Sequence, residues 1–238
     1  MYPSEISGKV VAIGDSHGDR RAVNTMLRYL AKHKIMQDRW VVFLGDYCDV
    51  GPDTSGLISL LLSFHKYHPK TTFLCGNHDL NLCKALNIVE SPHQEFYWNR
   101  ISQRNREVLR SYQARDGTEL LKNMPPEHRQ FLADLPWFIA HPDFLFVHCG
   151  FDPDEPLDAQ LEALKKRDPT IFKPKWLHKD ALGFVGNSHQ TDKIIITGHL
   201  NQRNVIAFDN RIMIDTGAGY GGSLTALLLP EMEYIQTE

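Results

Sequence analysis

The sequence of 238 residues predicts an α/β fold built on two central β-sheets that are flanked by helices. Three observations support this prediction. Five short apolar runs, each ending in polar residues, have the pattern of buried strands. Amphipathic helical patterns separate the first three of these runs. From residue 194 onward, strand-like runs follow one another with little helix between them.

The five runs come in a fixed order along the chain. They read "KVVAIGDSHGD", "WVVFLGDYCD", "TTFLCGNHD", "FLFVHCG" and "IIITGH". Residues 20–33 place four apolar side chains on one helical face, and residues 55–68 repeat that pattern. The alternation of strand and helix predicts parallel pairing of the first three strands through crossover connections.

The remaining segments complete the expected architecture. Residues 90–135 are mostly helical and polar in pattern, which indicates a cap segment. The runs "IIITG", "NVIAF", "RIMIDTG" and "SLTALLL" predict a second sheet that is mostly antiparallel. No repeat, linker or low-complexity segment divides the chain, so we expect a single domain over residues 1–238.

Composition excludes several functional classes. The net charge of −3 gives no electrostatic reason to expect a nucleic-acid partner. No apolar run approaches the roughly 18 residues of a membrane span, and the N-terminus has no signal-peptide pattern. Four cysteines without paired spacing predict reduced thiols and a cytoplasmic location: Cys48, Cys75, Cys83 and Cys149.

Metal-binding residue types gather where the five strands end. In open α/β sheets, ligands bind outside the carboxyl ends of the strands, so these side chains should meet at one edge. Carboxylates and imidazoles together suit manganese, iron or zinc, and their number suits two ions that share a carboxylate. The residues are Asp15, His17, Asp46, Asp49, Asn77, His78, His148 and His199.

This order of motifs resembles the calcineurin-like metallophosphoesterases, and within them the phosphoprotein phosphatase family. The matching motifs are "GDSHG", "GDYCDVG", "GNHD", "HCG" and "GH". Stretches at residues 110–114, 125–136 and 214–231 are similar to bacterial serine/threonine phosphatases. The resemblance implies a four-layer fold with two mixed sheets sandwiched between helices.

The resemblance also implies a role for each residue. Asp15, His17 and the bridging Asp46 would hold one divalent ion, and Asp46, Asn77, His148 and His199 would hold the other. A hydroxide bridging the ions would attack phosphorus directly. His78 would protonate the leaving oxygen, Asp49 would orient His78, and Asn77 would contact the phosphate. We expect manganese in the site, with iron or zinc as alternatives.

The sequence departs from the family pattern at two phosphate-binding positions. Val50 stands where an arginine usually grips two phosphate oxygens, and His178 in "PKWLHKDALGF" stands where a second arginine is expected. His178 is therefore a candidate substrate-binding residue. Three readings are open: modest divergence, a changed substrate, or loss of activity. A monoester brings two negative charges, so losing cations disfavours it relative to a diester or an internal anhydride phosphate.

The expected function is hydrolysis of phosphomonoesters, as in the serine/threonine protein phosphatases. The alternatives are a dinucleoside polyphosphate hydrolase, a phosphodiesterase, or a phosphoprotein-binding module without turnover. The expected partner is a phosphorylated protein or a small phosphate ester, with no nucleic acid and no membrane.

Overall fold

A computed structural model describes residues 2–104, 106–179 and 191–237 of the chain. Its first sheet contains five strands: β1 (Val10–Ile13), β2 (Trp40–Phe43), β3 (Thr71–Phe73), β9 (Thr225–Leu229) and β10 (Glu233–Gln236). They lie side by side in the order β10, β9, β1, β2, β3. β1, β2 and β3 are parallel, which confirms the prediction made from the helices between them.

The second sheet contains β4 (Phe138–Ala140), β5 (Phe144–Val147), β6 (Ile194–Thr197), β7 (Ile206–Phe208) and β8 (Arg211–Met213). Their order is β4, β5, β6, β8, β7, with β5, β6 and β8 parallel and the two outer pairs antiparallel. The prediction of a mostly antiparallel second sheet was therefore wrong.

The error has a physical cause. A central parallel strand is covered on both faces and therefore reads as a continuous apolar run, as "IIIT" does. The short connections after residue 194 indicated hairpins instead. In addition, the run "SLTALLL" was assigned to the second sheet, but it forms β9 in the first sheet. There β9 pairs antiparallel with β1.

Two helices connect the first three strands. α1 (Arg20–Lys32) begins at the N-cap Asp19, whose carboxylate accepts from the Ala22 N–H at 2.9 Å. α2 (Thr54–Tyr67) begins in the same way at Asp53, which accepts from the Gly56 N–H at 2.8 Å. Both caps satisfy helix N–H groups that have no partner inside the helix. They also fix the ends of the two loops that precede the helices.

The segment 90–135 is helical, as the sequence indicates. α3 (Asn77–Ala85) is followed by α4 (Gln94–Arg104), α5 (Glu107–Ser111), α6 (Gly117–Asn123) and α7 (Pro126–Asp134). α4 packs on α3, and α5 and α7 pack on α2. Later, α8 (Leu157–Lys166) and α9 (Lys175–His178) precede β6. That residues 1–238 form one domain with a cap stays a prediction.

The two sheets pack face to face. Side chains from alternate positions of β1, Val10 and Ala12, join residues of β2, β5, β6 and β9 in one buried cluster. The other positions, Val11 and Ile13, face the helices in a second cluster. β1 is thus buried on both sides, which is why its sequence is a continuous apolar run. The polar loops at its carboxyl end are held by this rigid core.

Two further predictions concern membrane-spanning segments and the cysteines. None of the helices in the described ranges is long and apolar enough to cross a membrane. All four cysteines are buried and unbridged. The Cys149 thiol lies beside the Lys179 carbonyl at 2.9 Å, and Cys48 is fully buried.

Candidate metal centre

The strand-end residues meet at one edge of the two sheets. Asp46 is the common member of two groups of possible ligands, His17–Asp46–His78 and Asp46–His148–His199. Within each group, the candidate ligand atoms lie within 4.8 Å of one another. A carboxylate that belongs to both groups is the geometry expected for a bridge between two ions.

In the first group, His17 has the orientation that is typical of a metal-ligating histidine. His17 Nε2 lies 3.6 Å from Asp46 Oδ2, while His17 Nδ1 lies 3.4 Å from the Cys48 carbonyl oxygen. A ligand histidine commonly directs its second nitrogen to a carbonyl in this way, which fixes the ring orientation. The structure groups His78 here, whereas the sequence assigned it to proton transfer.

Asp15 lies beside these groups without belonging to either. Its Oδ2 accepts from the His199 N–H at 2.9 Å, and its Oδ1 is buried without a hydrogen-bond partner among the described residues. Burial and the neighbouring Asp215 carboxylate raise the pKa of Asp15 well above its usual range. A buried carboxylate oxygen without a partner is costly, and a metal ion at this position would satisfy it.

The second group places two imidazole nitrogens and a carboxylate oxygen around the Asn77 side-chain amide. His148 Nδ1 lies 2.8 Å from the Leu44 carbonyl, so Nδ1 carries a hydrogen, and in the neutral ring Nε2 has the lone pair. His148 Nε2 lies 3.0 Å from Asn77 Oδ1 and 3.4 Å from Asp46 Oδ2. His199 Nδ1 lies 2.9 Å from the same Asn77 oxygen. Without a proton or a metal ion among them, or a rotated Asn77 amide, these acceptors would repel one another.

Electrostatics indicate that a proton takes this place in the metal-free protein. Burial lowers the pKa of His148, but the Asp46 and Asp15 carboxylates outweigh it and raise the pKa to about 10. His17 shows the opposite balance, because burial dominates and lowers its pKa to about 4. The His17 ring is therefore neutral at pH 7 and has a lone pair for a metal ion, whereas His148 must lose a proton before it can bind one.

This balance predicts that metal binding releases protons. At pH 7, which is below the pKa of about 10, loading manganese should displace at least one proton per chain, that of His148. Metal affinity should therefore rise as the pH is raised toward 10 and fall in acid. Calorimetric titrations in two buffers with different ionisation enthalpies measure the released protons. Equal heats in both buffers would contradict the prediction.

Two glycines allow the loops to approach the carboxylates. A methyl group at Gly198 would lie 1.9 Å from Asp15 Oδ1, and one at Gly76 would lie 2.1 Å from Asp46 Oδ1. No real Cβ contact is that short, so any side chain at these positions would displace the carboxylate. The glycines of the motifs "GH" and "GNHD" are therefore needed for space, which their sequence alone did not indicate.

His78 and Asp49 form a hydrogen-bonded pair next to the ligand groups. His78 Nδ1 lies 2.9 Å from Asp49 Oδ2, and the backbone N–H of His78 donates to Asp46 Oδ1 at 2.9 Å. Burial lowers the pKa of His78, but Asp46 and Asp49 outweigh it and raise the pKa to about 9. The protonated ring therefore has a donor at Nε2, as a general acid needs.

The positions of the two missing arginines carry no cation. Val50 is half-buried and adopts a left-handed φ of 63°, directly after Asp49 at 67°. His178 Nδ1 lies 3.2 Å from the Pro174 carbonyl, and Nε2 lies 3.0 Å from Asn81 Oδ1. Burial lowers the pKa of His178 to about 3, so the ring is neutral. His178 cannot replace a guanidinium charge, and only a neutral contact with substrate remains proposed for it.

Asp79 is a site residue that the sequence analysis did not assign. Its carboxylate accepts from the backbone N–H groups of Asp46, Tyr47 and Gly76 at 2.8–2.9 Å. These bonds hold the loops after β2 and β3 against each other. Asp79 is the last residue of the motif "GNHD", so it could have been noticed in the sequence. No sequence spacing, however, identifies a carboxylate that accepts only backbone N–H groups.

Comparison with known proteins identifies the family of the chain. The family model for calcineurin-like phosphoesterases matches residues 8–224. The chain belongs to the calcineurin-like phosphoesterase family. It is therefore a metal-dependent phosphatase hydrolase, and the two-sheet architecture is that of this family.

Two curated relatives that align over nearly the whole chain are tetraphosphatases. The symmetrical bis(5'-nucleosyl)-tetraphosphatase of Janthinobacterium sp. (strain Marseille) is 22% identical, covering 95% of both chains. The asymmetrical enzyme PrpE of Anoxybacillus flavithermus is 24% identical, covering 94% of this chain and 91% of its own. A solved structure of a proposed diadenosine tetraphosphatase has a TM-score of 0.66 at 22% identity, covering 99% and 98%.

Sequence similarity to protein phosphatases covers shorter stretches, whereas the solved structure of a cold-active protein tyrosine phosphatase of Shewanella sp. covers 100% of this chain and 83% of its own, with a TM-score of 0.62 at 19% identity. PP1-delta of Caenorhabditis elegans is 32% identical over 38% of this chain and 28% of its own. This similarity supports the resemblance to the phosphoprotein phosphatase family that the motifs indicate.

Proposed function

We propose that the chain is a dinuclear metal-dependent hydrolase whose preferred substrate is a dinucleoside polyphosphate. The observation that carries this proposal is the absence of a cation at both phosphate-arginine positions, Val50 and the neutral His178. A monoester phosphate brings two negative charges to the site, whereas an internal phosphate of an anhydride chain brings one. The full-length similarity to tetraphosphatases supports the same choice.

The ligand groups fit two divalent ions, manganese first and iron or zinc as alternatives. Asp15, His17 and Asp46 would hold one ion, and Asp46, Asn77, His148 and His199 the other. Ions bound there would supply an activated water and would neutralise phosphate charge. Asp46 suits the shared position because its Oδ2 faces both His17 and His148.

His78 and Asp49 have separate roles in this proposal. His78 gives the proton at Nε2 to the leaving oxygen. Asp49, hydrogen-bonded at Nδ1, keeps the ring in the orientation that presents Nε2. An anhydride releases a phosphate, which is a better leaving group than an alkoxide. The proposed substrate therefore depends less on His78 than an alkyl phosphate would.

A second candidate is the phosphomonoesterase of the protein-phosphatase type that the motifs first indicated. The short but closer similarity to PP1-delta favours it. One experiment separates the two. With manganese added, kcat/KM is measured for diadenosine tetraphosphate, an aryl phosphomonoester, an aryl phosphodiester and a phosphopeptide.

We expect the dinucleotide to be hydrolysed with the highest kcat/KM. Chromatography of its products distinguishes symmetrical cleavage to two diphosphates from asymmetrical cleavage. A phosphopeptide hydrolysed at least about tenfold better than the dinucleotide would replace the first proposal with the second. A preference for the diester would identify a phosphodiesterase, and phosphopeptide binding without any turnover would contradict both proposals.

Replacing Val50 with arginine should move the preference toward monoesters. The guanidinium would stand beside Asp49 and the metals, where the monoester has its additional charge. A charge-assisted hydrogen bond contributes roughly 1.5–3 kcal/mol, so the ratio of monoester to dinucleotide kcat/KM should rise by about ten- to a hundredfold. Arginine also relieves the left-handed strain that a β-branched side chain has at a φ of 63°.

Val50→Gln is the matched control, because it has a long unbranched side chain without charge. It should share any gain in melting temperature but not the shift in substrate ratio. If Val50→Arg is folded and metal-loaded yet keeps the original ratio, position 50 does not face the phosphate. The charge argument for the anhydride substrate would then be lost.

A further inference from the structure

Two arginines lie in a groove directly beside the metal centre. The groove has a volume of about 380 Å³ and is lined by Gly18, Arg20, Arg21, Asn24 and Pro52, together with the cap residues Asp19 and Asp53. Its walls continue the two loops that bear the ligands, because Gly18 follows His17 and Pro52 follows Val50–Gly51.

Backbone hydrogen bonds join these two loops. The Gly51 N–H donates to the His17 carbonyl at 2.6 Å, and the Asp53 N–H donates to the Gly18 carbonyl at 3.1 Å. Substitution of Gly18 would bring a Cβ within 2.8 Å of the Gly51 carbonyl oxygen, so the loops are in close contact. The groove is therefore attached rigidly to the metal centre.

The cations of this groove are available to an anion. Arg20 reaches Asp53 at 3.3 Å, but both side chains are exposed, at 56% and 39%, and such a pair contributes little. Asp19 and Asp53 already accept from helix N–H groups, as described above. Arg21 is exposed and forms an ion pair with no carboxylate in the described part of the chain.

A larger cavity adjoins the groove on the other side of Arg21. It has a volume of about 700 Å³ and shares Asp19 and Arg21 with the groove. Thr25, Met26 and Tyr29 of α1 form one wall, and Ile235 and Gln236 of β10 form another. Polar and apolar groups contribute about equally to this cavity, and Met26, Tyr29 and Ile235 supply apolar surface for a base, next to a groove that holds two arginines.

We propose that the groove and the adjoining cavity bind the part of the substrate beyond the scissile phosphate. Arg20 and Arg21 contact the remaining phosphates of the chain, and the larger cavity receives the distal nucleoside. This inference rests on the proposed function and gives it a specificity determinant. The cations missing at positions 50 and 178 are thereby replaced by cations placed for a longer anion.

Inhibition of aryl phosphate hydrolysis tests the phosphate part without a nucleotide substrate. Tripolyphosphate and orthophosphate are compared as inhibitors of the manganese-loaded enzyme, and the ratio of their inhibition constants is measured. We expect tripolyphosphate to bind more tightly than orthophosphate. The double substitution Arg20→Gln with Arg21→Gln should reduce this preference by about tenfold or more, because each lost contact is charge-assisted.

The double substitution Lys32→Gln with Lys34→Gln is the matched control. It removes the same two charges at the opposite end of α1, where both lysines are exposed. The preference for tripolyphosphate should be kept in this variant. Binding of free manganese by the polyphosphate would affect all variants equally. Only a lower tripolyphosphate preference in the arginine variant than in the lysine variant therefore supports the groove. An unchanged preference in the double variant, with its melting temperature unaltered, would overturn the inference.

The nucleoside part is tested by comparing ATP with tripolyphosphate. ATP should inhibit the wild-type enzyme more strongly, and Thr25→Trp, which fills the larger cavity, should remove that advantage. Equal inhibition by the two compounds in the wild type would overturn the nucleoside assignment. If the wild type does not hydrolyse diadenosine tetraphosphate at all, the proposed function fails, while an arginine-dependent preference for tripolyphosphate would still support the groove.

Discussion

Gly76→Ala should abolish tight metal binding at both ion positions. The new methyl group would lie 2.1 Å from Asp46 Oδ1 and 2.3 Å from the Asp46 backbone nitrogen. Asp46 is the carboxylate common to both ligand groups, so its displacement affects both ions at once. Displacing a supporting residue commonly reduces metal affinity or activity by about 10–100-fold, and a shared ligand should give at least that effect.

The measurement is metal content after gel filtration, with turnover measured over a range of added manganese. Gly8→Ala is the control, because a methyl group there has no atom within 4 Å. Gly8 has a φ of 90°, so alanine costs backbone strain at that position but should leave metal content unchanged. Full metal content in a folded Gly76→Ala variant would show that Asp46 is not the bridging ligand.

The parts of the fold that could be read from the sequence are those fixed by local pattern. β1, β2 and β3 end in polar loops and are separated by α1 and α2, and this alternation determines their parallel pairing. The strands after residue 194 were assigned correctly as strands but not to the correct sheets. Pairing between β9 and β1 joins distant parts of the chain, and no local pattern specifies that partner.

The site divides in a similar way. Residues that bind through side chains stand out, because carboxylates and imidazoles at strand ends are unusual, and the structure brings Asp46, His148 and His199 together. Asp79 and the glycines at 76 and 198 act on backbone or by leaving space, which a single sequence does not show. His178 aligned with an expected arginine, but its neutral state follows mainly from burial, which a single sequence does not show.

The charges at the site are consistent with the proposed substrate. In the absence of metals, the Asp46 and Asp15 carboxylates raise the pKa of His148 to about 10, so that ring holds a proton at pH 7. Two dications would displace that proton and leave a site that is locally positive. With no arginine at position 50, we propose that the ions alone neutralise the scissile phosphate, while Arg20 and Arg21 contact the rest of the anion.

His78→Asn should lower turnover by about 10²–10⁴-fold on substrates with poor leaving groups. His78 is held by Asp49 at 2.9 Å and is protonated below a pKa of about 9, so it can donate from Nε2. Bound dications would offset the Asp46 charge and bring that pKa down. The loss should therefore be greatest for an alkyl phosphate, smaller for diadenosine tetraphosphate, and smallest for an aryl phosphate with an acidic phenol.

The dependence on leaving group distinguishes proton donation from a structural role. Asp49→Asn is the companion variant: it keeps the side-chain shape but removes the charge that holds the ring, so its loss should follow the same order of substrates at a smaller magnitude. Metal content is measured in both variants, because His78 lies within 4.8 Å of His17 and Asp46 ligand atoms. An equal loss on all three substrates at full metal content would mean that His78 does not protonate the leaving oxygen, and a loss of one ion would assign it to the metal centre instead.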